Sequence, residues 1–192
     1  LDSLGCKKLY LKVLDVGRDP ATGEIQPYSR LEIADTSGLS NFEKVPVVFI
    51  TNAVFQNIST EKIDWLAGKV AEVLGPAVAP GDTPATDPWS VLRNPAGAAE
   101  VQFDCDWTSS TRNKYFYFLS RIKLKHPGVS ISATIRLHQI KDKKQTGIPP
   151  VKKGVLMYYA TSNPLYFQDK NSILENELAN NYIKELKKYP IT

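Results

Sequence analysis

The 192 residues give room for one domain with a sizeable buried core and argue against two. A hydrophobic fraction of 42% with 23% charged residues excludes a disordered or fibrous chain. The net charge of +4 is scattered except for Lys141, Lys143, Lys144, Lys152 and Lys153, which read as a solvated loop, and without a basic stripe bearing stacking aromatics nucleic acid is excluded as a partner.

In chain order, Lys8 to Val16 is rich in β-branched and aromatic residues and is closed by Gly17, which predicts a strand. Arg18 to Lys44 is polar, with Gly, Pro and Ser and no helical period, and is expected to be a long irregular connection. Val45 to Thr51 is a nearly continuous apolar run, suited to a parallel strand covered on both faces. Thr60 to Leu74 sets Ile63, Leu66, Ala67, Val70, Val73 and Leu74 on one helical face, with Ser59 or Thr60 as cap. From Gly75 to Ala98 five prolines forbid regular structure, and an exposed excursion is expected there, pinned by Trp89.

Val101 to Trp107 predicts a third strand, Arg112 to Leu124 a second helix, Val129 to Ile140 a fourth strand and Gly154 to Ala160 a fifth. Ile173 to Lys187 predicts a third helix, with Ser172 and Glu175 in capping-box spacing. His126, before Pro127 at a helix end, reads as structural. Cys6 and Cys105 have neither disulfide-framework nor metal spacing and read as free, packed thiols. No run approaches the ~18 apolar residues of a membrane span, so no membrane span is expected. The sequence opens at Leu1 without an initiator Met, and a processed or excised chain is expected, with any export signal lying before it.

Strands alternating with helices predict parallel pairing through right-handed crossovers. A barrel and a doubly wound sheet both fit that order. No glycine-rich turn follows a strand, which weakens a nucleotide-binding sheet, and no cofactor is implied.

Period-two alternation sorts the third strand into Val101, Phe103, Cys105 and Trp107 on one face and Gln102, Asp104 and Asp106 on the other. The fourth divides Ile131, Ala133, Ile135 and Leu137 from Ser132, Thr134, Arg136 and His138. Carboxylates inside a fold need cations nearby, and Arg136 and His138 supply them late in a neighbouring strand, where β/α folds keep their ligand sites. Asp104 and Asp106 are candidate catalytic residues; Arg136, His138, Gln102, Asn52 and Tyr158 are candidate ligand-binding residues. Tyr158, Tyr159 and Trp107 offer stacking surfaces for a sugar ring, or serve as packing. An interior ion-pair network is the competing reading. Asp104, Asp106 and His138 have metal-donor chemistry, but without a further close His or Glu ligand no metal is assigned.

The strings VQFDCDWTSSTRNKY and SATIRLHQIKDKKQTGIPPVKKGVLMYY resemble an uncharacterised bacterial family of glycosidase-like β/α-barrel proteins, often exported or lipid-anchored, over Leu4 through Pro190. The resemblance implies an α/β fold, a partial (β/α) TIM-type barrel with about five parallel strands in a single domain over 1–192, incomplete in this chain. It also implies a carbohydrate or similar polar ligand and an extracytoplasmic location, periplasmic or cell-surface. More distantly, Asp104-Cys105-Asp106-Trp107 resembles the D-x-D-W core of chitinase-like barrel glycosidases, in which a catalytic Glu follows two residues after the second Asp. Thr108 stands at that position. A binding domain, a glycoside hydrolase whose acid lies outside this segment, and a non-catalytic scaffold therefore all remain open. Because the strands predicted here do not close a barrel of about eight, either further strands lie outside these residues or a homodimer covers the open edges. The ending YPIT resembles the approach to another strand.

Overall fold

The computed structural model describes residues 5–32, 35, 37–39, 41–74, 100–159, 175–184 and 186. Its elements are β1 (Lys8–Arg18), β2 (Ile25–Arg30), β3 (Glu43–Ile50), α1 (Thr60–Leu74), β4 (Glu100–Asp104), α2 (Arg112–Lys125), β5 (Ser130–Arg136), α3 (Leu137–Lys141), α4 (Lys143–Thr146), β6 (Lys153–Met157) and α5 (Asn176–Ile183). The strands form one six-stranded sheet in the order β2-β1-β3-β4-β5-β6. All neighbours are parallel except β2, which runs antiparallel to β1 at the edge. No helix among the described residues is long and apolar enough to cross a membrane.

From β1 through β3, β4, β5 and β6, spatial order follows chain order. With right-handed crossovers, such a singly wound sheet receives its helices on one face. On that face Val48, Ile50, Val101, Phe103, Ile131 and Ile135 meet Ile63, Leu66 and Val70 of α1 and Tyr115, Phe118 and Ile122 of α2 in one apolar cluster. Ser59 starts α1, its hydroxyl accepting from Lys62 N at 3.3 Å and its carbonyl from Ile63 N at 3.0 Å. The two helices are joined by Tyr117 and Arg121, which reach Asp64. At the end of α2 His126 is buried, and that burial holds its imidazole below the usual range.

The opposite face is concave. A flat sheet would separate β1 from β6 by four strand spacings, about 19 Å, and perpendicular side chains would not meet across that span. Lys153 Nζ on β6 nevertheless donates to Tyr10 Oη on β1 at 2.5 Å. The sheet is therefore strongly curled, but it is not closed.

Several expectations change, among them the third strand, which ends at Asp104 and not at Trp107. The stretch from Arg18 to Lys44 contains β2, joined to β1 by a turn in which Asp19 Oδ1 accepts from Ala21 N and Thr22 N at 2.8 and 2.9 Å and Gly23 adopts φ 71°. Pro27 and the polar residues around it hide its strand pattern, and a proline is tolerated at a sheet edge, where its missing N–H breaks no further ladder. The predicted fourth strand stops at Arg136, because Gln139 Oε1 accepts from Arg136 N at 2.8 Å and opens α3. Lys153 is not in a solvated loop but half-buried on β6, whereas Lys141, Lys144 and Lys152 are exposed. The last helix is described over Asn176–Ile183, shorter than predicted. Ser172 of the expected capping box and the excursion over 75–98 lie outside the described residues.

Candidate functional site

Strand β4 and its exit carry the alternation into three dimensions. Val101, Phe103, Cys105 and Trp107 are buried on the helix side, and Phe103 meets Phe118 edge-on at 5.4 Å. Burial, with the flanking Asp106 and Asp104 charges, pushes the Cys105 thiol well up, and both cysteines are free. Gln102 and Asp104 therefore face the concave side, next to Ser132 and Thr134 of β5.

At the carboxyl ends of these strands Arg136 acts as the hub. Its Nη2 lies 3.7 Å from Asp104 Oδ1, which also accepts from Thr134 Oγ1 at 2.6 Å. Its Nε donates to Asp106 Oδ1 and its Nη1 to Tyr159 Oη, with the guanidinium 5.3 Å from the Tyr159 ring centre. Burial alone would lower the Arg136 pKa, but the bonds to Asp106 and Tyr159 and the two carboxylate charges raise it above its usual value. The Arg136 and Asp104 side chains are each 17% exposed and that of Asp106 53%, so Asp106 is the carboxylate offered to solvent.

The other predicted residues are distributed differently. Gln102 is buried one row below Asp104. His138 is exposed on α3, and among the described residues no hydrogen bond or ion pair joins it to either Asp. The change from strand to helix at Leu137 turns successive side chains by about 100° instead of 180°, so His138 leaves the face that Arg136 occupies. Asn52 opens a 3-10 turn after β3, where its Oδ1 accepts from Thr111 Oγ1 at 2.6 Å; it ties that turn to the start of α2. Tyr158 is half-buried after β6, and it is Tyr159 that meets Arg136. Trp107 is fully buried, so it is a packing residue and not a stacking platform. Thr108 is bonded to Ser110 and Thr111 at 2.9 and 3.3 Å in the approach to α2. Among the described residues no three His, Cys, Asp or Glu side chains are grouped to hold a metal ion.

A second polar cluster, unforeseen in the sequence, closes the amino end of the concave face. Glu100 Oε1 accepts from Ser132 Oγ at 2.7 Å and from Tyr10 Oη at 3.2 Å, while Oε2 lies 3.2 Å from Lys8 Nζ and 3.5 Å from Lys153 Nζ. Burial would raise the Glu100 carboxyl, but Ser132 and the two lysines together hold it below its ordinary value. The Tyr10 hydroxyl in turn raises Lys153. This end of parallel β/α folds serves stability, and the carboxyl end holds ligands.

Comparison with protein-family models, with curated proteins and with solved structures gives no match. The site therefore has to be read from its own geometry. One measurable consequence is coupling. Asp104→Ala and Arg136→Ala are expected to be non-additive by about 0.5–3 kcal/mol in a double-mutant cycle of unfolding free energies, because each removes the other's partner. Additive effects would mean that the 3.7 Å approach carries no interaction energy.

Proposed function

We propose that this chain forms part of a glycosidase-like β/α barrel that binds a carbohydrate or similar polar ligand at the carboxyl ends of its parallel strands and does not hydrolyse it with its own residues. The observation that carries this reading is the hub at Arg136, which joins Asp104 and Asp106 from β4 and its exit to Tyr159 after β6. Open and closed parallel sheets keep their ligands at that end. The sequential strand order and the contact between Lys153 and Tyr10 favour a barrel-like curl. An extracytoplasmic location rests on the family resemblance alone.

The same geometry speaks against hydrolysis within this segment. Glycosidases set two carboxyl groups on either side of the scissile bond, about 5–9.5 Å apart, with one kept protonated. Asp104 and Asp106 instead converge on one guanidinium, and Thr108 is bonded into the turn before α2.

The test is a glycan array followed by hydrolysis assays on the full-length protein. Binding without turnover is expected, weakened at least tenfold by Arg136→Ala. Turnover that disappears in Asp106→Asn would instead favour a hydrolase whose acid comes from elsewhere, and neither binding nor turnover would leave a scaffold.

A further inference from the structure

We infer that the ligand held around Arg136 is an organic cation, its positive charge set against Asp106 and Asp104 beside the exposed ring of Tyr159; the inference rests on reading this cluster as a binding site. The charge balance carries it. Asp104 and Asp106 both pair with Arg136, and among the described residues no other cation pairs with either carboxylate. Two negative charges therefore face one positive charge. The cluster is locally negative in a chain whose formal net charge is +4.

The hydrogen-bonding capacity left over has the same sign. Asp104 Oδ1 takes Thr134 and Arg136, and Asp106 Oδ1 takes Arg136 Nε, while Oδ2 of each has no partner among the described residues. The Asp106 side chain is half exposed and that of Asp104 keeps some exposure, so the spare acceptors belong to groups that water reaches. Tyr159 is 42% exposed and bonded to the same guanidinium, which sets its ring one guanidinium away from Asp106. An ammonium group donates to carboxylate oxygens and is drawn to an aromatic face, so it uses all three groups.

The other charge classes fit less well. An anion reaching for Arg136 must settle beside two carboxylates or displace one, and a displaced Asp104 would be left partly buried without its cation. A neutral ligand meets the hydrogen bonds but not the charge: covering the cluster takes a net negative charge out of water with nothing to offset it. A cation removes that cost. Arg136 contributes position here, since the two carboxylates and Tyr159 share no other partner; its loss scatters the cation's partners even though it removes a positive charge.

The test is titration calorimetry of the full-length protein with a glucosamine oligomer at a pH where its amines are charged, with glucose and glucuronate oligomers of the same length, and with spermidine as a cation that is not a sugar. The glucosamine oligomer is expected to bind about tenfold or more tightly than its neutral and acidic counterparts, with an affinity that falls as salt is raised. Asp106→Asn keeps the shape and removes the charge. It is expected to weaken the bound cation about tenfold while leaving the melting temperature close to wild type, because this carboxylate is half exposed. A neutral or acidic oligomer that binds as tightly as the glucosamine oligomer, or cation affinity unchanged in Asp106→Asn, overturns this inference and leaves the binding reading standing. Spermidine binding that is lost in Asp106→Asn, with no oligosaccharide bound, supports the cation site and overturns the carbohydrate reading. A protein that binds none of the four overturns both.

Discussion

Trp107→Ala is expected to destabilise the fold by about 3–5 kcal/mol, at the upper end of what a single large-to-small core change costs. The indole has no exposed surface, stacks on Tyr115 with ring centres 5.3 Å apart and meets Phe116 edge-on at 5.7 Å. Tyr115 in turn meets Phe55 at 5.4 Å, so the cavity would open beneath the turn after β3 as well. The indole N–H also donates to the Thr146 carbonyl at 2.8 Å, tying the exit of β4 to α4. Trp107→Phe keeps much of the packing and orphans that carbonyl, so its cost should be smaller, about 1–3 kcal/mol. Urea unfolding at constant m would read both values. A loss under about 1 kcal/mol for the alanine variant would mean that the aromatic cluster is not what anchors this end of the sheet.

Trp107 also explains why the site and the core stand or fall together. Its carbonyl accepts from Gln139 Nε2 at 3.0 Å, and the same Gln139 side chain accepts from Arg136 N at 2.8 Å. One buried amide therefore fixes the backbone on both sides of the acid-arginine cluster. A cavity at Trp107 should thus also shift Arg136 and the two carboxylates paired with it.

How far this arrangement was legible depends on which physical signal each residue carried. The alternation VQFDCDW sorted the residues from Val101 to Trp107 onto two faces because its apolar and polar sets are chemically extreme. The period of α1 was equally plain, and its bounds match the expected Thr60 to Leu74. Strand β2 was hidden because an edge strand has one free side and tolerates Pro27, so neither periodicity nor composition marks it. His138 was misplaced for a different reason. Ser132, Thr134, Arg136 and His138 keep a perfect strand period, and the local capping bond in which the Arg136 amide donates to the Gln139 side chain ends the strand four residues before the predicted Ile140.

Tyr159 shows what was within reach. Met157 lies opposite Arg136 in register, and Lys153 and Val155 share its parity, so the concave face continues through Tyr159 and not Tyr158. That step needed one face-fixing residue on β6. Lys153 was that residue, but as one lysine among several it read as solvated surface. Glu100 escaped notice because it precedes the strand predicted from Val101, where a charged residue looks like a strand end. The cluster it forms joins β1, β4, β5 and β6, and no local pattern encodes contacts across so many strands.

Glu100→Gln is expected to cost about 2 kcal/mol at pH 7, below the 3–5 typical of a broken buried pair, because Lys8 and Lys153 are 30% and 38% exposed and water repays part of the loss. The pH dependence separates charge from packing. The folded carboxyl lies below its ordinary value: burial works against this, and Ser132, Lys8 and Lys153 outweigh it. A depressed folded value means that the ionised carboxylate contributes its full stability above the unfolded value of about 4.3. That contribution fades as pH falls through the folded value. The wild-type and Glu100→Gln melting temperatures should therefore differ most at neutral pH and converge under acid conditions. A gap that stays constant down to strongly acid pH would assign the effect to lost shape or hydrogen bonding and not to charge. A convergent gap would assign the effect to the Glu100 charge and its pairing with Lys8 and Lys153.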